Sequence, residues 1–452
     1  AKVVQANAMI SFEQAFLLCQ EEPDLRNVPI KIVAGPHKGS YSASLEQLQT
    51  YPVSNDIQCV SGEETALITF TTGSSGIPKG ANRTHSFLAS QHYALSKCIP
   101  YHPSDIDLPA FPNFSWNNLA MGVTTIIPCI DIGRPSEKDP LLLVAQMLCA
   151  KVTCATLSPS MVVEVAKFCA EKGVKLPMVR RLITGGAPIS NDTLSLLKNA
   201  VPNSEIWVLY CSPEVEPIAH IEANDILFPK HSGIESGEGV NVGHLADGLE
   251  CKFIKIYKGI VQLKNDDWTP IEIPVGNVGE LVVAGLHVCK SYYNDPEAVR
   301  KTKIIESTGK VWHRTGDVAY LDKQENLWLV GRVHNVISRA GQLLFPVKVE
   351  ILLKKHPCVL QAAFVGIEDK KLGEKAYALV TISEKNQPNF LKVLEEIKVI
   401  LEENKVQYDY LGIIESIPMD PRHQSKVEYA LLREKILAPK SGFITLTKRE
   451  SD

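Results

Sequence analysis

Apolar and polar residues alternate along the chain with two different periods, and this alternation predicts the elements of a layered fold. Between residues 60 and 210, short β-branched runs that are typical of buried strands are separated by longer stretches with a helical pattern. The predicted strands are 66–70, 123–127, 152–157, 181–184 and 206–210, and the predicted helices are 86–95, 141–150, 161–168 and 192–200. Strands that alternate with helices at this spacing favour parallel βαβ units, and hence an α/β domain.

Polar residues at the predicted helix starts support several of these boundaries. Ser158 precedes Pro159, a pair that is typical of an N-cap followed by proline at the first helical position. Ser190 is likewise predicted to cap its helix. Ser11 is predicted to cap a first helix over 11–18, which is followed by a strand at 29–34.

Beyond residue 233 the pattern changes to short strands punctuated by glycine. This texture predicts a β-rich subdomain shaped as a distorted barrel, with residues 312–317 in a turn. From residue 346, a helix stopped by Pro357 leads to two strands and a long amphipathic helix over 390–404, which predict a small α+β domain. The predicted domains are 1–232, 233–331 and 332–452.

Composition narrows the class of function. The 452 residues are 45% hydrophobic with a net charge of −4, which is ordinary for a globular protein and gives no electrostatic reason to bind nucleic acid or an anionic membrane. Eleven cysteines without CxxC pairs indicate reduced thiols, and hence a cytoplasmic protein. No apolar run approaches the ~20 residues of a membrane span, and the first residues lack a signal pattern. These patterns leave the oligomeric state open.

A loop of small residues follows the strand predicted at 66–70. Residues 69–80 read Thr-Phe-Thr-Thr-Gly-Ser-Ser-Gly-Ile-Pro-Lys-Gly. Glycines allow backbone N–H groups to turn toward an anion, hydroxyls add donors, and Lys79 adds a charge, so the loop suits a triphosphate. It is not a Walker loop, because Pro78 precedes Lys79 and Gly80 follows it. The alternative is a surface loop with a solvated lysine.

Two more chemically suggestive stretches follow predicted strands. Gly-Gly-Ala-Pro occupies 185–188, and Tyr-Cys-Ser-Pro-Glu occupies 210–214. Ligands of parallel sheets collect at the carboxyl ends of the strands, where both stretches are predicted to lie. The aromatic residues Phe111, Phe114 and Trp116 are either core residues or the wall of an apolar substrate pocket.

Taken together, these stretches resemble the signatures of the adenylate-forming superfamily, in the order the family has them. The matching stretches are 69–80, 185–188, 210–214, 279–283 with 292–294, 312–317, 331–332 and Lys426. Residues 111–114, 127–135 and 420–426 look most similar to the branch that makes β-lactones for olefin biosynthesis. The resemblance implies a large domain of doubly wound sheets, a barrel-like subdomain and a small mobile C-terminal domain. It also implies that part of the first subdomain is missing, because relatives have a longer segment before the phosphate loop.

The resemblance implies that the protein uses ATP and Mg²⁺ to convert a carboxylic acid, such as a fatty acid, to acyl-AMP and pyrophosphate. A thiol such as coenzyme A then takes the acyl group. The implied small-molecule partner is this carboxylate. The alternatives are β-lactone formation from a β-hydroxy fatty acid, and a nucleotide-binding relative with little or no turnover.

The resemblance also assigns residue roles. The phosphates are bound by the loop, the adenine by the turn after residue 184 and by the stacked Tyr210, and the ribose by Asp317. Glu214 binds the metal, Arg332 contacts the nucleotide, and Lys426 stabilises the α-phosphate, so the implied catalytic residues are Lys426, Glu214 and Lys79. The nucleotide-binding residues by this resemblance are Thr71, Thr72, Gly73, Ser74, Ser75, Gly76, Lys79, Gly185, Gly186, Ala187, Tyr210, Asp317 and Arg332. The alternative for each of these residues, taken singly, is that it is a core residue or a solvated surface residue without a role in binding.

Several positions depart from the family pattern. Pro213 stands where relatives have a threonine, so both a hydroxyl and an N–H are lost. His334 and Asn335 occupy the domain hinge, where relatives favour aspartate, and Lys348 replaces a glutamate. Such changes are consistent with slow adenylation, impaired domain rotation or loss of the second half-reaction.

Overall fold

The computed structural model describes residues 4–72, 78–131, 136–228, 239–383, 389–419, 426–438 and 442–448, without the side chains of 71 and 72. The chain divides into two compact units, Ala1–Leu88 with Cys289–Arg300, and Ala89–Val288 with Lys301–Asp452. The division into 1–232, 233–331 and 332–452 stays a prediction.

The first unit contains two small sheets. Its strands are β1 (Ala8–Ser11), β2 (Ile30–Val33), β3 (Ala43–Ser44), β4 (Thr65–Thr72) and β5 (Pro78–Thr84), and its short helices are α1 (Glu13–Leu18), α2 (Pro23–Arg26) and α3 (Leu45–Leu48), with a 3₁₀ turn at Cys19–Glu21. Strands β1 to β3 pair in parallel, whereas β4 and β5 form an antiparallel pair. The core of this unit includes Ala81, Phe87 and Tyr292.

The second unit holds three larger sheets. Its helices are α4 (His85–Cys98), which begins in the first unit, α5 (Pro112–Met121), α6 (Asp139–Cys149), α7 (Pro159–Lys172), α8 (Asn191–Ala200), α9 (Ala223–Leu227), α10 (Pro296–Thr302), which ends in the second, α11 (Pro346–Lys354), α12 (Phe390–Glu403) and α13 (Tyr429–Leu437). Its strands are β6 (Ile106–Pro109), β7 (Thr124–Thr125), β8 (Cys154–Leu157), β9 (Arg181–Gly185), β10 (Glu205–Ser212), β11 (Val215–Glu222), β12 (Val240–Asn241), β13 (His244–Leu245), β14 (Glu250–Ile254), β15 (Gly279–Ala284), β16 (Lys303–Ile305), β17 (Val311–Leu321), β18 (Leu327–Arg332), β19 (Ile337–Arg339), β20 (Gln342–Leu344), β21 (Val359–Asp369), β22 (Gly373–Ile382), β23 (Tyr410–Ile414) and β24 (Phe443–Lys448).

The seven-stranded sheet confirms the predicted βαβ units. Its order is β13-β11-β10-β9-β8-β6-β7, and the pairs from β7 through β6, β8 and β9 to β10 are parallel. The predicted N-caps are confirmed, because the Ser158 side chain accepts from Met161 N and the Ser190 side chain accepts from Thr193 N. Helices α6, α7 and α8 cover one face through a core that includes Leu143, Val165 and Leu197.

Some local predictions are wrong. Ser11 does not cap α1, because it is the last residue of β1, and Phe12 is the N-cap. The strand predicted at 123–127 shrinks to β7, and the preceding aromatic segment is helix α5, in which Phe114 is buried while Trp116 is 51% exposed. The strand predicted to be buried at 66–70 lies in β4, where Phe70 is 46% exposed.

The β-rich texture predicted beyond residue 233 is confirmed in a six-stranded sheet with the path β12-β18-β17-β15-β14 and β16 beside β17. The predicted turn at 312–317 is wrong, since these residues lie inside strand β17, which pairs with both β15 and β18. A buried ion pair fixes this strand, because Arg314 Nη2 lies 2.7 Å from Glu280 Oε2 with both side chains almost fully buried.

The predicted α+β part is also confirmed. Strands β20, β19, β22, β23 and β24 form a sheet in this order, with β21 paired to β22. Helices α11 and α12 pack on it through residues such as Leu353, Ile397 and Leu401 around Phe364. None of the helices within the described residues is long and apolar enough to cross a membrane.

A buried polar cluster lies at β6 on the seven-stranded sheet. Asp107 is fully buried, and its Oδ2 accepts from Asn118 Nδ2 at 2.7 Å and from the Tyr101 hydroxyl at 3.3 Å. Its Oδ1 has no hydrogen-bond partner among the described residues. Burial raises the pKa of Asp107 to about 6. Two residues earlier, Asp105 accepts from Arg180, and although burial opposes it, this bond lowers the pKa of Asp105.

We expect Asp107→Asn to stabilise the fold increasingly as the pH rises. The raised pKa means that the folded state retains a proton that the unfolded chain has lost, so the wild type loses stability between about pH 4 and pH 6. An amide carries no such charge. The advantage of Asp107→Asn in the free energy of unfolding should therefore grow by about 1–2 kcal/mol from pH 5 to pH 8, as measured by urea denaturation.

Asp105→Asn is the matched control, and its trend should be the opposite. Because the pKa of Asp105 is lowered, its ionised form stabilises the fold at neutral pH and this contribution is lost on acidification. The variant should be less stable than the wild type at pH 8, and the difference should shrink at lower pH. Parallel pH trends for the two variants would contradict the assignment.

Candidate nucleotide-binding site

Two glycines shape the carboxyl end of β9. Gly185 is the last residue of β9 and pairs with Leu209 of β10. A Cβ atom at Gly185 would lie 2.4 Å from the Leu209 carbonyl oxygen, so only glycine allows this approach. Gly186 has φ of +91°, a left-handed conformation that favours glycine. Ala187 follows and is half-buried.

Three of the predicted site residues meet directly. The Tyr210 hydroxyl, on β10, donates to Asp317 Oδ2 at 2.6 Å. Arg332 Nη1, on β18, donates to Asp317 Oδ1 at 2.7 Å. Both carboxylate oxygens therefore accept a bond from a different strand, and the pairing of Asp317 with Arg332 in the β17–β18 register brings these two side chains together.

The electrostatics keep both donors protonated. Burial and the neighbouring Asp317 carboxylate raise the pKa of Tyr210 well above its ordinary value. The Asp317 charge likewise raises the pKa of Arg332. The Asp317 side chain is 13% exposed and that of Arg332 is 52% exposed, so the carboxylate is enclosed while the guanidinium reaches solvent. The result is an acceptor carboxylate with two fixed donors and an open side.

Thr315, which is not among the residues predicted from the sequence, supports Asp317. The Thr315 hydroxyl donates to Leu281 O at 2.8 Å and accepts from Asp317 N at 3.0 Å. These bonds tie β17 to β15 beside the buried pair of Arg314 and Glu280. The sequence could have indicated Thr315, because this residue lies between Arg314 and Asp317 in the family-like stretch 312–317.

The turn between β10 and β11 carries a buried carboxylate. Glu214 is 8% exposed, and its charge contributes to the raised pKa of Arg332, so it lies near the Asp317 group. The Ser212 hydroxyl is buried without a hydrogen-bond partner among the described residues. An orphaned buried hydroxyl two residues before a buried carboxylate is a chemically suitable pair of groups for a phosphate and its metal ion.

A second buried carboxylate, which is also not among the predicted residues, lies two residues beyond Glu214. Glu216 Oε2 accepts from Gln91 Nε2 at 2.7 Å and from Asn113 Nδ2 at 2.8 Å. These bonds connect α4 and α5 to β11. The aromatic residue Phe114, next to Asn113, packs in a core cluster with Leu95 of α4 and Ile183 of β9.

The predicted phosphate loop is described only in part. The residues Gly73, Ser74, Ser75 and Gly76 and the side chains of Thr71 and Thr72 lie outside the described part of the chain. Lys79 lies on β5 in the first unit, half-buried, with its ammonium 5.9 Å from the centroid of the Tyr292 ring.

The remaining predicted residues take no part in the hydrogen bonds among Tyr210, Asp317 and Arg332. His334 nevertheless lies near this group, since partial desolvation of its ring together with the Arg332 charge lowers the pKa of His334. Lys426 is exposed at a bend just before α13, and it is not hydrogen-bonded to Tyr210, Asp317 or Arg332. His334 and Asn335 belong to a 3₁₀ turn at Val333–Asn335, where His334 is exposed and Asn335 is buried.

A family model described as "AMP-binding enzyme" matches residues 2–293 of this chain, which is more than half of its length. The chain belongs to the AMP-binding enzyme family. This confirms the resemblance to adenylate-forming enzymes that the motifs indicated.

Two curated members of the AMP-binding family illustrate the range of relatives. The chain is 32% identical over 312 residues to the olefin beta-lactone synthetase of Stenotrophomonas maltophilia, an alignment that covers 68% of this chain and 55% of that protein. It is 28% identical over 373 residues to the 4-coumarate–CoA ligase of Vanilla planifolia, covering 80% of this chain and 63% of that protein. The chain thus spans about half the length of the β-lactone synthetase.

Solved structures of adenylate-forming proteins show the same mixed α/β fold. The amide bond synthetase McbA from Marinactinospora thermotolerans is similar with a TM-score of 0.72 at 20% identity, over 96% of this chain and 81% of that one. The ATP-bound MatB from Rhodopseudomonas palustris is similar with a TM-score of 0.73 at 17% identity, over 97% and 81% of the two chains. At these identities the likeness shows the fold alone.

We expect Gly185→Ala to destabilise the protein by about 1–3 kcal/mol, because the added Cβ collides with the Leu209 carbonyl and must push β9 and β10 apart. Urea or thermal denaturation measures this loss.

Gly259→Ala is the matched control, because a Cβ there meets no atom within 4 Å. It should leave stability unchanged or slightly raised. Equal effects of the two substitutions would show that the close approach at Gly185 is not what limits this position.

Proposed function

We propose that this protein binds ATP with Mg²⁺ and activates a carboxylic acid as its acyl-adenylate. The observation that carries the proposal is the Asp317 carboxylate, fixed between Tyr210 and Arg332 in a chain of the AMP-binding family. In the reaction, a substrate carboxylate oxygen attacks the α-phosphorus, the new O–P bond forms, and the bond to the β-phosphate breaks to release pyrophosphate.

The nucleoside end of the proposed site is formed by β9, β10 and β17. Gly185 and Gly186 leave the backbone bare beside Tyr210, where the flat face of an adenine ring can approach it. Asp317 is an acceptor-only group, which suits the two hydroxyls of a ribose. Arg332 is half-exposed and still charged, so it can contact the nucleotide without leaving the carboxylate.

The phosphate end needs cations and donors, because the transition state accumulates charge on phosphate oxygens. Lys79 and the loop over 71–76 supply them in this proposal. Mg²⁺ is commonly held by one or two carboxylates plus substrate phosphates. Glu214 is the proposed carboxylate, and the ion would neutralise phosphate charge during the displacement.

The proposed phosphate site differs from the family pattern at Pro213, and the neighbouring Ser212 offers a hydroxyl there. Proline at 213 has neither a hydroxyl nor an N–H to offer a phosphate. The neighbouring Ser212 hydroxyl is buried and lacks a partner among the described residues, so it is available to donate. We include it in the proposed phosphate-binding set.

Lys426 is the proposed catalytic lysine that stabilises the α-phosphate. It has an exposed, flexible stem in the C-terminal α+β part of the chain, which the proposal treats as a mobile domain. Transfer of the acyl group to a thiol such as coenzyme A follows adenylation.

The proposed setting is the cytoplasm, consistent with the free thiol state of the cysteines at all eleven positions.

Two further candidates each have a specific observation in their favour. The 32% identity to an olefin beta-lactone synthetase favours β-lactone formation from a β-hydroxy fatty acid through the same acyl-AMP. Pro213, in place of a hydroxyl residue, favours a nucleotide-binding relative with little turnover. Release of AMP that requires coenzyme A supports the ligase, whereas release with β-hydroxy acids alone supports lactone formation.

The proposed activity predicts ATP–pyrophosphate exchange that depends on a carboxylic acid. A panel of fatty and β-hydroxy fatty acids supplies the substrate, and Lys426→Ala should reduce exchange by about 100-fold or more, since it removes a transition-state charge contact. Lys392→Ala is the control, because Lys392 is 78% exposed on α12. ATP binding without exchange on any acid would leave only the nucleotide-binding candidate.

Stacking of adenine on Tyr210 predicts weaker ATP binding by Tyr210→Ala. The loss should be about 1–3 kcal/mol, the scale of base–aromatic stacking, measured by calorimetric titration. Tyr210→Phe keeps the ring and should lose less, through the missing bond to Asp317. Tyr93→Ala, at a ring that is 63% exposed on α4, should change nothing. Unchanged affinity in Tyr210→Ala would remove this residue from the adenine site.

A further inference from the structure

The chain around Lys426 is tied to the preceding segment by backbone contacts. Val427, the next residue, forms an isolated antiparallel bridge with Met419. Glu428 N then donates to Pro418 O at 2.9 Å. The backbone on the C-terminal side of Lys426 is therefore held, while the Lys426 side chain itself extends into solvent.

A polar contact continues this attachment. Tyr429, the first residue of α13, donates its hydroxyl to Glu350 Oε1 on α11. The same Glu350 oxygen accepts from Phe364 N on β21 at 3.0 Å. One carboxylate oxygen thus connects the helix that follows Lys426 to a second helix and to the sheet.

The first turns of α13 are attached along one face. Arg433 lies four residues after Tyr429, so both project from the same side of the helix. Arg433 Nε donates to Gly366 O of β21 at 3.2 Å. Leu432, between them, is fully buried in the core cluster that also holds Ala363 and Val365 of β21.

The protonation states of Tyr429 and Glu350 favour the hydrogen bond between them. Burial and the Glu350 carboxyl raise the pKa of Tyr429 well above its ordinary value, so its hydroxyl keeps its proton. Burial also raises the pKa of Glu350, against the hydrogen bonds from Tyr429 and Phe364 N. Glu350 is therefore a poor candidate for a solvated surface acid.

We propose that Glu350 and Tyr429 are positioning residues that fix the backbone from which Lys426 extends. This inference rests on the proposed function, in which Lys426 contacts the reacting phosphate. A lysine stem has many rotamers, so the location of its ammonium depends on where its backbone is held. A displacement of the order of 1 Å at such a group costs up to about 100-fold in rate.

The competing explanation is that the bond only helps α13 to pack. In that case its loss lowers stability without a selective effect on the chemical step. A split between kcat and KM distinguishes the two, because a misplaced Lys426 affects the transition state while ATP binding at the Asp317 group is unchanged.

The test compares Tyr429→Phe with Glu350→Gln in the full chain. Tyr429→Phe removes the donor, whereas Glu350→Gln keeps a carbonyl oxygen that can accept from Tyr429 and Phe364 N. We expect kcat for ATP–pyrophosphate exchange to fall about tenfold in Tyr429→Phe, with the KM for ATP within about twofold. Glu350→Gln should keep kcat within about threefold of the wild type. Tyr377→Phe, which removes a hydroxyl at the edge of the same core cluster, should match the wild type.

Hydrogen–deuterium exchange gives a readout that does not need turnover. The Glu428 amide is protected by its bond to Pro418 O, and it should exchange faster in Tyr429→Phe than in Tyr377→Phe. A melting temperature close to that of the wild type in both variants excludes global unfolding as the cause.

The outcomes separate this inference from the proposed function. If the wild type shows no exchange reaction, the proposed function fails, and faster amide exchange at Glu428 still supports the attachment itself. If the wild type is active and Lys426→Ala is not, a wild-type kcat in Tyr429→Phe overturns the inference. A fall in kcat that is matched by a rise in KM and a loss of stability also overturns it, in favour of simple packing.

Discussion

The Asp317 carboxylate connects the seven-stranded sheet to the six-stranded sheet that contains β17. It lies on β17 of the six-stranded sheet, and its two oxygens accept from Tyr210 of the seven-stranded sheet and from Arg332 of β18. Charge-assisted hydrogen bonds are stronger and more directional than neutral ones. Because both donors are held in their charged or protonated forms, this contact fixes the relative position of the ends of β10, β17 and β18.

The rigidity of β17 makes that contact useful. Arg314 and Glu280 form an almost fully buried ion pair, in which Arg314 lies three residues before Asp317 on β17, and Thr315, between Arg314 and Asp317, bonds to β15. A buried pair of this kind contributes little net stability compared with an apolar pair, but breaking it is strongly destabilising. The strand is therefore restricted to one register, and the carboxylate proposed to bind the ribose is preorganised rather than ordered by the ligand.

In the C-terminal part of the chain the backbone is fixed but the side chain of interest is not, in contrast to Asp317. Lys426 is an exposed side chain on a held backbone, and Tyr429, three residues further along, bonds to Glu350 of α11. The proposed nucleotide site is preformed, whereas the proposed catalytic lysine is free to move at the end of a fixed segment. These requirements are complementary, since the first gives affinity and the second acts only in the transition state. The departures at Pro213 and His334 fall near these two parts, and Ser212 provides a buried hydroxyl at the first of them.

The sequence by itself determined the features that depend on local spacing. Three kinds of feature could be predicted without coordinates: the alternation of strand and helix patterns, the caps at Ser158 and Ser190, and the family motifs. Each depends on residues within one turn or one loop. Only the tertiary structure decided which distant residues meet. Tyr210 and Asp317 are 107 positions apart, Glu350 and Tyr429 are 79 apart, and the segment at 312–317 became a strand through pairing with β15 and β18. Such contacts depend on sheet register and on burial, neither of which has a local signature in the chain.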